Sequence, residues 1–288
     1  MLKKWFIGFT AVATLTVSSA VLADISLGVI APRGKDKAQQ RWAEYGTYLS
    51  KEVGEKVSIV PLLPSEVLKQ SKEMDFMLVN PTQTVILMTV DKAKQLATLN
   101  KKSGSQFGGV IVAKKGSGIR HAADLKGKKV MGLKFRAAAG AYMFQTYHLI
   151  LKGINPHTDF ASFTEGKKQD DLVMKVKNGV IDAAFIRTGI LESMAREKKI
   201  NLDDFVIVDQ KSAGSFKQML TTVLYPEWSL MAMPKADHVV AEKIKNSSIA
   251  MNADSTMAKA AKIVGFVKTV DITPMKDVME ELGVYPFD

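Results

Sequence analysis

Met74-Asp75-Phe76-Met77-Leu78-Val79, broken by Asn80-Pro81-Thr82, decides the fold, because the chain later repeats the design. The second copy is Ile181-Asp182-Ala183-Ala184-Phe185-Ile186, broken by Arg187-Thr188-Gly189. Each is a short apolar run of buried-strand type whose polar end opens a helix-like segment. Each also follows a helical stretch, 66–73 in the first case and 170–179 in the second. Two βα units of one design predict two α/β lobes. Ligands of open α/β sheets sit beyond the carboxyl ends of the strands. The repeat therefore predicts a cleft between lobes, with Asn80 and Thr82 on one wall and Arg187 and Thr188 on the other.

Outward from the first copy, residues 25–30 form an apolar run that Ala31-Pro32-Arg33-Gly34 breaks. Ala38, Trp42, Tyr45 and Leu49 then recur at helical spacing, so 35–52 reads as an amphipathic helix ended by Gly54. A strand at 57–60 and the strand at 74–79 complete a βαβαβ order, which predicts a parallel sheet. In the second lobe, strands are expected at 129–133, 160–163 and 181–186, with a helix from about Gly140 to Lys152. Residues 109–113 and 205–208 read as the strands that cross between lobes, and 220–233 carries the chain back. The helical C-terminal third is expected to pack on the first lobe. The boundaries are 24–112 with 214–288 for lobe one and 113–213 for lobe two. Two crossing strands favour a closing clamp over a flexible linker.

Residues 1–23 read as a signal peptide. Lys3 and Lys4 give the positive start, Trp5 to Val17 the apolar stretch, and Val21 and Ala23 the small-residue recognition positions. Cleavage after Ala23 and export to the periplasm are expected. The stretch is short and Thr/Ser-diluted for a membrane anchor. The chain has no cysteine, so disulfides, thiolate metal sites and a lipid-modified cysteine are excluded. Such a protein must stand on its hydrophobic core, and the roughly 265 residues left after cleavage suffice for one large or two medium domains. The formal charge is +11, but the lysines are dispersed (Lys101-Lys102, Lys114-Lys115, Lys167-Lys168, Lys198-Lys199) rather than interleaved with aromatics on one face. No nucleic-acid partner is expected. The spread reads as a solvated basic surface that can also steer anions.

No catalytic set is visible. The four histidines, His121, His148, His157 and His238, lie in unrelated segments without metal-ligand spacing. There is no GxSxG elbow and no P-loop. Asp170-Asp171, Asp203-Asp204 and Glu280-Glu281 sit at helix starts or exposed faces, where caps and solvated charges belong. No metal, no cofactor and no enzymatic activity are expected.

Ile30-Ala31-Pro32-Arg33-Gly34-Lys35-Asp36-Lys37 with Arg41-Trp42 resembles the opening of the phosphate/phosphite/phosphonate-type solute-binding proteins. Asp75 to Pro81, Asn178-Gly179 with Ile181 to Phe185, and Tyr225-Pro226-Glu227-Trp228 extend the resemblance over the whole mature chain. Arg187-Thr188-Gly189 with Leu191-Glu192, and the end Met279 to Phe287, are similar to the branch holding the periplasmic sensor domain of tetrathionate-sensing-type histidine kinases. The resemblance implies a type II periplasmic binding fold, a small-molecule ligand and a monomer that docks on an ABC transporter permease, or on a histidine kinase in the sensing alternative.

Site residues follow by the same route. Where phosphonate binders carry a Ser-Thr-Ser-Gly turn for the phosphonate oxygens, this chain has Ala137-Ala138-Ala139-Gly140. Three hydroxyl donors are missing, while backbone donors and the adjacent Arg136 remain. The family's histidine before the next helix aligns with Gln169, and its aspartate after the following strand with Arg187. An acid suited to an amine has become a cation suited to an oxyanion. Arg33, after the first strand, and Tyr142, after the Ala turn, complete the candidates. The departure counts against phosphonate itself and is compatible with another oxyanion, a carboxylate or a larger apolar ligand lying on the Ala turn.

Overall fold

The computed structural model describes residues 24–288; the signal peptide read at 1–23 lies outside the described residues. Strands β1 (Ile25–Ile30), β2 (Val57–Leu62), β3 (Phe76–Val79) and β4 (Lys94–Asn100) come first. Next are β5 (Gln106–Phe107), β6 (Gly109–Lys114), β7 (Lys129–Leu133), β8 (Ser162–Gly166), β9 (Ala183–Arg187) and β10 (Phe205–Ile207). The last three are β11 (Tyr225–Pro226), β12 (Ser229–Ala232) and β13 (Gly265–Val267). They build a six-stranded sheet in the order β13-β4-β12-β3-β1-β2 and a five-stranded sheet in the order β10-β6-β9-β7-β8.

The first sheet is covered on both faces, which explains its near-continuous apolar strands. On one side, Leu27 and Val29 pack with Trp42, Tyr45 and Leu49 of the helix Lys35–Val53. On the other, Ile30, Met77 and Val79 pack with Leu87 of the helix Pro81–Val90. The parallel sheet expected from the sequence is found for β1, β2 and β3 only. β12 enters antiparallel between β3 and β4, because it returns from the other lobe.

The second sheet repeats the layering. Val112, Met131, Val173 and Ile186 fill one face, and Ile111, Leu125, Val130 and Phe185 the other. Residues 109–113 and 205–208, expected to cross between lobes, are instead β6 and β10, antiparallel neighbours within this sheet. The crossing is made by β5 and β11, which pair with each other as a separate ribbon, Phe107 opposite Tyr225. The helix expected from about Gly140 to Lys152 is broken. Tyr142, at φ −159° and ψ −65°, separates a single 3-10 turn at Ala139–Ala141 from the helix Met143–Ile150. The strand expected at 160–163 lies slightly later, as β8.

Behind the crossing ribbon the lobes share a third core. Val85 and Ile86 of the helix Pro81–Val90 meet Phe107, Phe144, Tyr225 and, from the helix Thr273–Glu281, Met275, Val278 and Met279. Phe144 stacks on Tyr225 with centroids 3.7 Å apart and planes within 12°. The C-terminal helices Thr256–Ala261 and His238–Ile249 pack on the first lobe as expected, against the helix Lys35–Val53. The last helix contacts both Pro81–Val90 and Met143–Ile150, and so spans the junction.

Candidate functional site

β9 delivers Arg187 to the mouth between the sheets. Gln169, the first residue of the helix Gln169–Lys177, accepts the Arg187 backbone N–H through Oε1 at 2.6 Å. Thr188 exchanges two hydrogen bonds with the crossing segment: its N–H donates to the Gly108 carbonyl at 3.0 Å, and its Oγ1 accepts the Gly108 N–H at 3.3 Å. Both residues, candidates from the sequence, hold Arg187 in place.

The Arg187 guanidinium lies over the Phe107 ring, 4.2 Å from its centroid, a cation–π arrangement. Its Nη2 donates to Glu227 Oε1. Glu227 follows β11 and is fully buried. Its carboxylate also takes Lys101 Nζ at 3.0 Å. Arg41 stands nearby, its guanidinium 4.7 Å from the Trp42 centroid and 5.8 Å from that of Trp228, with Nε donating to the Ala261 carbonyl at 2.8 Å. Exposed Arg33 adds a further charge close enough to act on Arg41. Three cations thus gather about one buried carboxylate, with Arg33 at the rim.

The electrostatics record the crowding. Burial pushes the Lys101 ammonium down to about 8; the Arg187 and Arg41 charges push the same way, and Glu227 opposes them. Burial and Arg33 also lower Arg41 from the ordinary guanidinium range. A bound anion would relieve this repulsion. Because the Lys101 charge is lost as pH rises through about 8, anion affinity should fall several-fold between about pH 7 and 9. The contribution of Lys101 to stability should move oppositely. Between its folded value and the unfolded value, the unfolded chain binds more protons, so stability rises with pH there. Calorimetric titration and thermal melts over that range check both signs.

The Ala turn adjoins Arg187. A Cβ on Gly140 would lie 3.0 Å from the Phe107 ring and 3.2 Å from Arg187 Cγ, so a larger residue here would have to push the ring or the arginine aside by a few tenths of an ångström. The fully buried Gln145 amide fastens the arrangement, donating to the carbonyls of Gly140 at 2.9 Å and Ile186 at 2.8 Å. Within the turn, the N–H groups of Ala137 and Ala138 close on the Lys134 carbonyl at 3.1 and 2.9 Å. Two backbone donors expected to remain for a ligand are therefore engaged locally. Ala138 and Ala139 lie against the aromatic core of the junction.

Other candidates lie apart. Arg136, at φ 59°, donates through Nη2 to the Gly283 carbonyl of the C-terminal segment. Tyr142 is buried, stacked on Phe135 at 4.6 Å, with its hydroxyl 2.9 Å from His157 Nε2. Its hydroxyl is satisfied there and does not reach the cluster. Asn80 caps the helix Pro81–Val90, its Oδ1 accepting the Gln83 N–H at 3.0 Å. Thr82 is buried in that first turn, its hydroxyl without a partner among the described residues.

The sequence reading placed none of Lys101, Arg41 and Glu227 in the site, although Arg41 and Glu227 lie in stretches that carry the family resemblance. Arg41 sits three residues after Ala38 and four before Tyr45, on the flank of the buried helical face, a position that could have flagged it. Lys101 carries no such signal. Two surface depressions, one lined by Lys177, Lys198 and Lys199 and one by Lys72, Asp91 and Lys235, lie away from this cluster. No group of residues suited to a metal ion is found among the described residues.

Two layered α/β lobes joined by a paired ribbon, with a charged mouth where the strands of both sheets end, define a type II periplasmic binding protein. The chain belongs to the family described as ABC transporter, phosphonate, periplasmic substrate-binding protein, whose model matches residues 27–275. It is 29% identical over 228 residues to the tetrathionate sensor histidine kinase of Salmonella typhimurium (strain LT2), a match covering 76% of this chain. The chain spans only 38% of that relative's length. Among solved structures, PhnD1 from Prochlorococcus marinus in complex with methylphosphonate has a TM-score of 0.67 at 14% identity, covering 90% of this chain and 98% of its own. XAC2383 from Xanthomonas citri bound to ATP has a TM-score of 0.68 at 14% identity, covering 90% and 95%. At such identities the likeness is one of fold.

Proposed function

We propose that this protein captures a small anion between its lobes and presents it to the permease of an inner-membrane ABC transporter. The observation that carries the reading is the convergence of Lys101, Arg187 and Arg41 about buried Glu227. Family membership supports the transport role. Export to the periplasm with cleavage after Ala23, a monomeric state and a purely non-enzymatic role belong to the same proposal, as do the lobes 24–112 with 214–288 and 113–213. The chemistry is binding alone: charge-assisted hydrogen bonds from guanidinium and ammonium groups in a desolvated mouth.

The test is mass spectrometry of whatever co-purifies, followed by thermal-shift screening with sulfate, thiosulfate, tetrathionate and methylphosphonate. Small-angle scattering with a stabilising anion should show a smaller radius of gyration, as a hinged clamp requires. An unchanged profile at saturation would indicate a rigid scaffold. A neutral apolar compound co-purifying, with no anion shifting the melt, would favour a carrier whose floor is Ala137 to Ala139.

The identity with a sensor histidine kinase favours a second reading, in which the bound protein docks on a kinase. Neighbouring permease and ATPase genes would support transport; neighbouring kinase and regulator genes would support sensing.

A further inference from the structure

We propose that Glu227 sets which anion charge the cleft accepts, acting as a built-in counter-charge that tunes the site to dianions. The inference rests on the anion-binding reading above.

Arg41, Lys101 and Arg187 supply three positive charges at the centre of the site, and Glu227 cancels one. The cancellation is deliberate in structural terms. Glu227 is fully buried on the crossing return, with one carboxylate bonded to cations from two different segments. Its backbone N–H is tied to the Ser105 carbonyl at 2.8 Å, which fixes the main chain that carries the carboxylate, while Lys101 and Arg187 hold the carboxylate itself. A buried carboxylate is tolerated only because both cations repay its desolvation. Two central positive charges are left over.

An entering anion therefore meets attraction and repulsion together. A monoanion leaves one half-buried cation uncompensated. A dianion matches the surplus. A more highly charged anion is driven against the Glu227 carboxylate, and like charges brought together across a binding site disfavour it strongly. The Ala turn supplies no hydroxyl, so charge rather than a cage of donors decides between ligands.

Calorimetric titration of the protein with nitrate, thiosulfate and pyrophosphate near neutral pH reads this out. The wild type should prefer thiosulfate. Glu227→Gln keeps the shape and removes the negative charge. The preference for pyrophosphate over thiosulfate should then rise on the order of tenfold relative to wild type. Lys101→Met removes a cation instead, and the preference for nitrate over thiosulfate should rise. Ligand size cancels, because each ratio is compared with the same ratio in the wild type. Should Glu227→Gln alone fail to fold, the double variant Arg187→Met/Glu227→Gln compared with Arg187→Met reads the same pyrophosphate-to-thiosulfate ratio, because the cation left unpaired is removed with the carboxylate. Both ratios unchanged, with all affinities falling in parallel, would overturn the proposal and leave Glu227 as a mere tether for Arg187; the anion-binding reading would survive. A wild type that binds none of these probes, and co-purifies with a neutral compound, would instead overturn the anion-binding reading itself.

Discussion

Replacing Arg187 by methionine should weaken binding of the anion probe by about ten- to a hundredfold, through loss of a charge-assisted hydrogen bond of roughly 1.5–3 kcal/mol. The side chain is fixed by Phe107 beneath it and Glu227 beside it, so the bond costs little reorganisation. The same substitution should lower the melting temperature, because buried Glu227 keeps only Lys101 as a partner. Combining Arg187→Met with Glu227→Gln separates the two effects. Stability should recover in the double variant, since the carboxylate is gone, whereas affinity should not recover to wild type. Thermal melts and calorimetric titration of the four proteins complete a double-mutant cycle. Unchanged anion affinity in Arg187→Met would exclude Arg187 from recognition.

Arg187 was legible in the sequence because a βα repeat placed a cation where ligands of such sheets sit. The two-lobe architecture was legible for the same reason: apolar runs of strand length, spaced by amphipathic helices, state which segments are covered on both faces. The order of strands was not. β12 lies between β3 and β4 through long-range pairing, and no local pattern encodes a partner that distant in the chain. The crossing point was misplaced for a related cause. β5 and β11 have two residues each, too short for any periodicity, whereas β6 and β10 look like strands and are strands, in the second sheet. Tyr142 illustrates the limit at single residues. An aromatic beside a binding turn and an aromatic in a core read alike; Phe135 and Phe163, which stack with it, decide for the core. Lys101 went unseen because lysines are read as solvated unless a buried acid lies against them, and Glu227 is brought there only by the fold.

Phe144→Ala should be the most destabilising of the substitutions considered, by about 3–5 kcal/mol. Phe144 is fully buried, stacked on Tyr225 and 5.3 Å from the Phe107 centroid. Those two rings belong to the two strands of the crossing ribbon, opposite each other in register. Truncation would leave a cavity that its neighbours could fill only by moving the ribbon, and stacked aromatic pairs contribute beyond their buried area. The melting temperature should fall by roughly 10 °C. The effect should reach the ligand as well. Phe107 carries the Arg187 guanidinium on its other neighbourly contact, and Tyr225 lies two residues before Glu227. A shift of the ribbon would move the cation and its counter-ion together, so anion affinity should drop even though Phe144 touches neither. Phe144→Leu, which retains most of the volume, should recover much of both losses. If Phe144→Ala melts far lower yet binds the anion as tightly as the wild type, the junction core would be a support for stability alone, mechanically separate from the charged mouth.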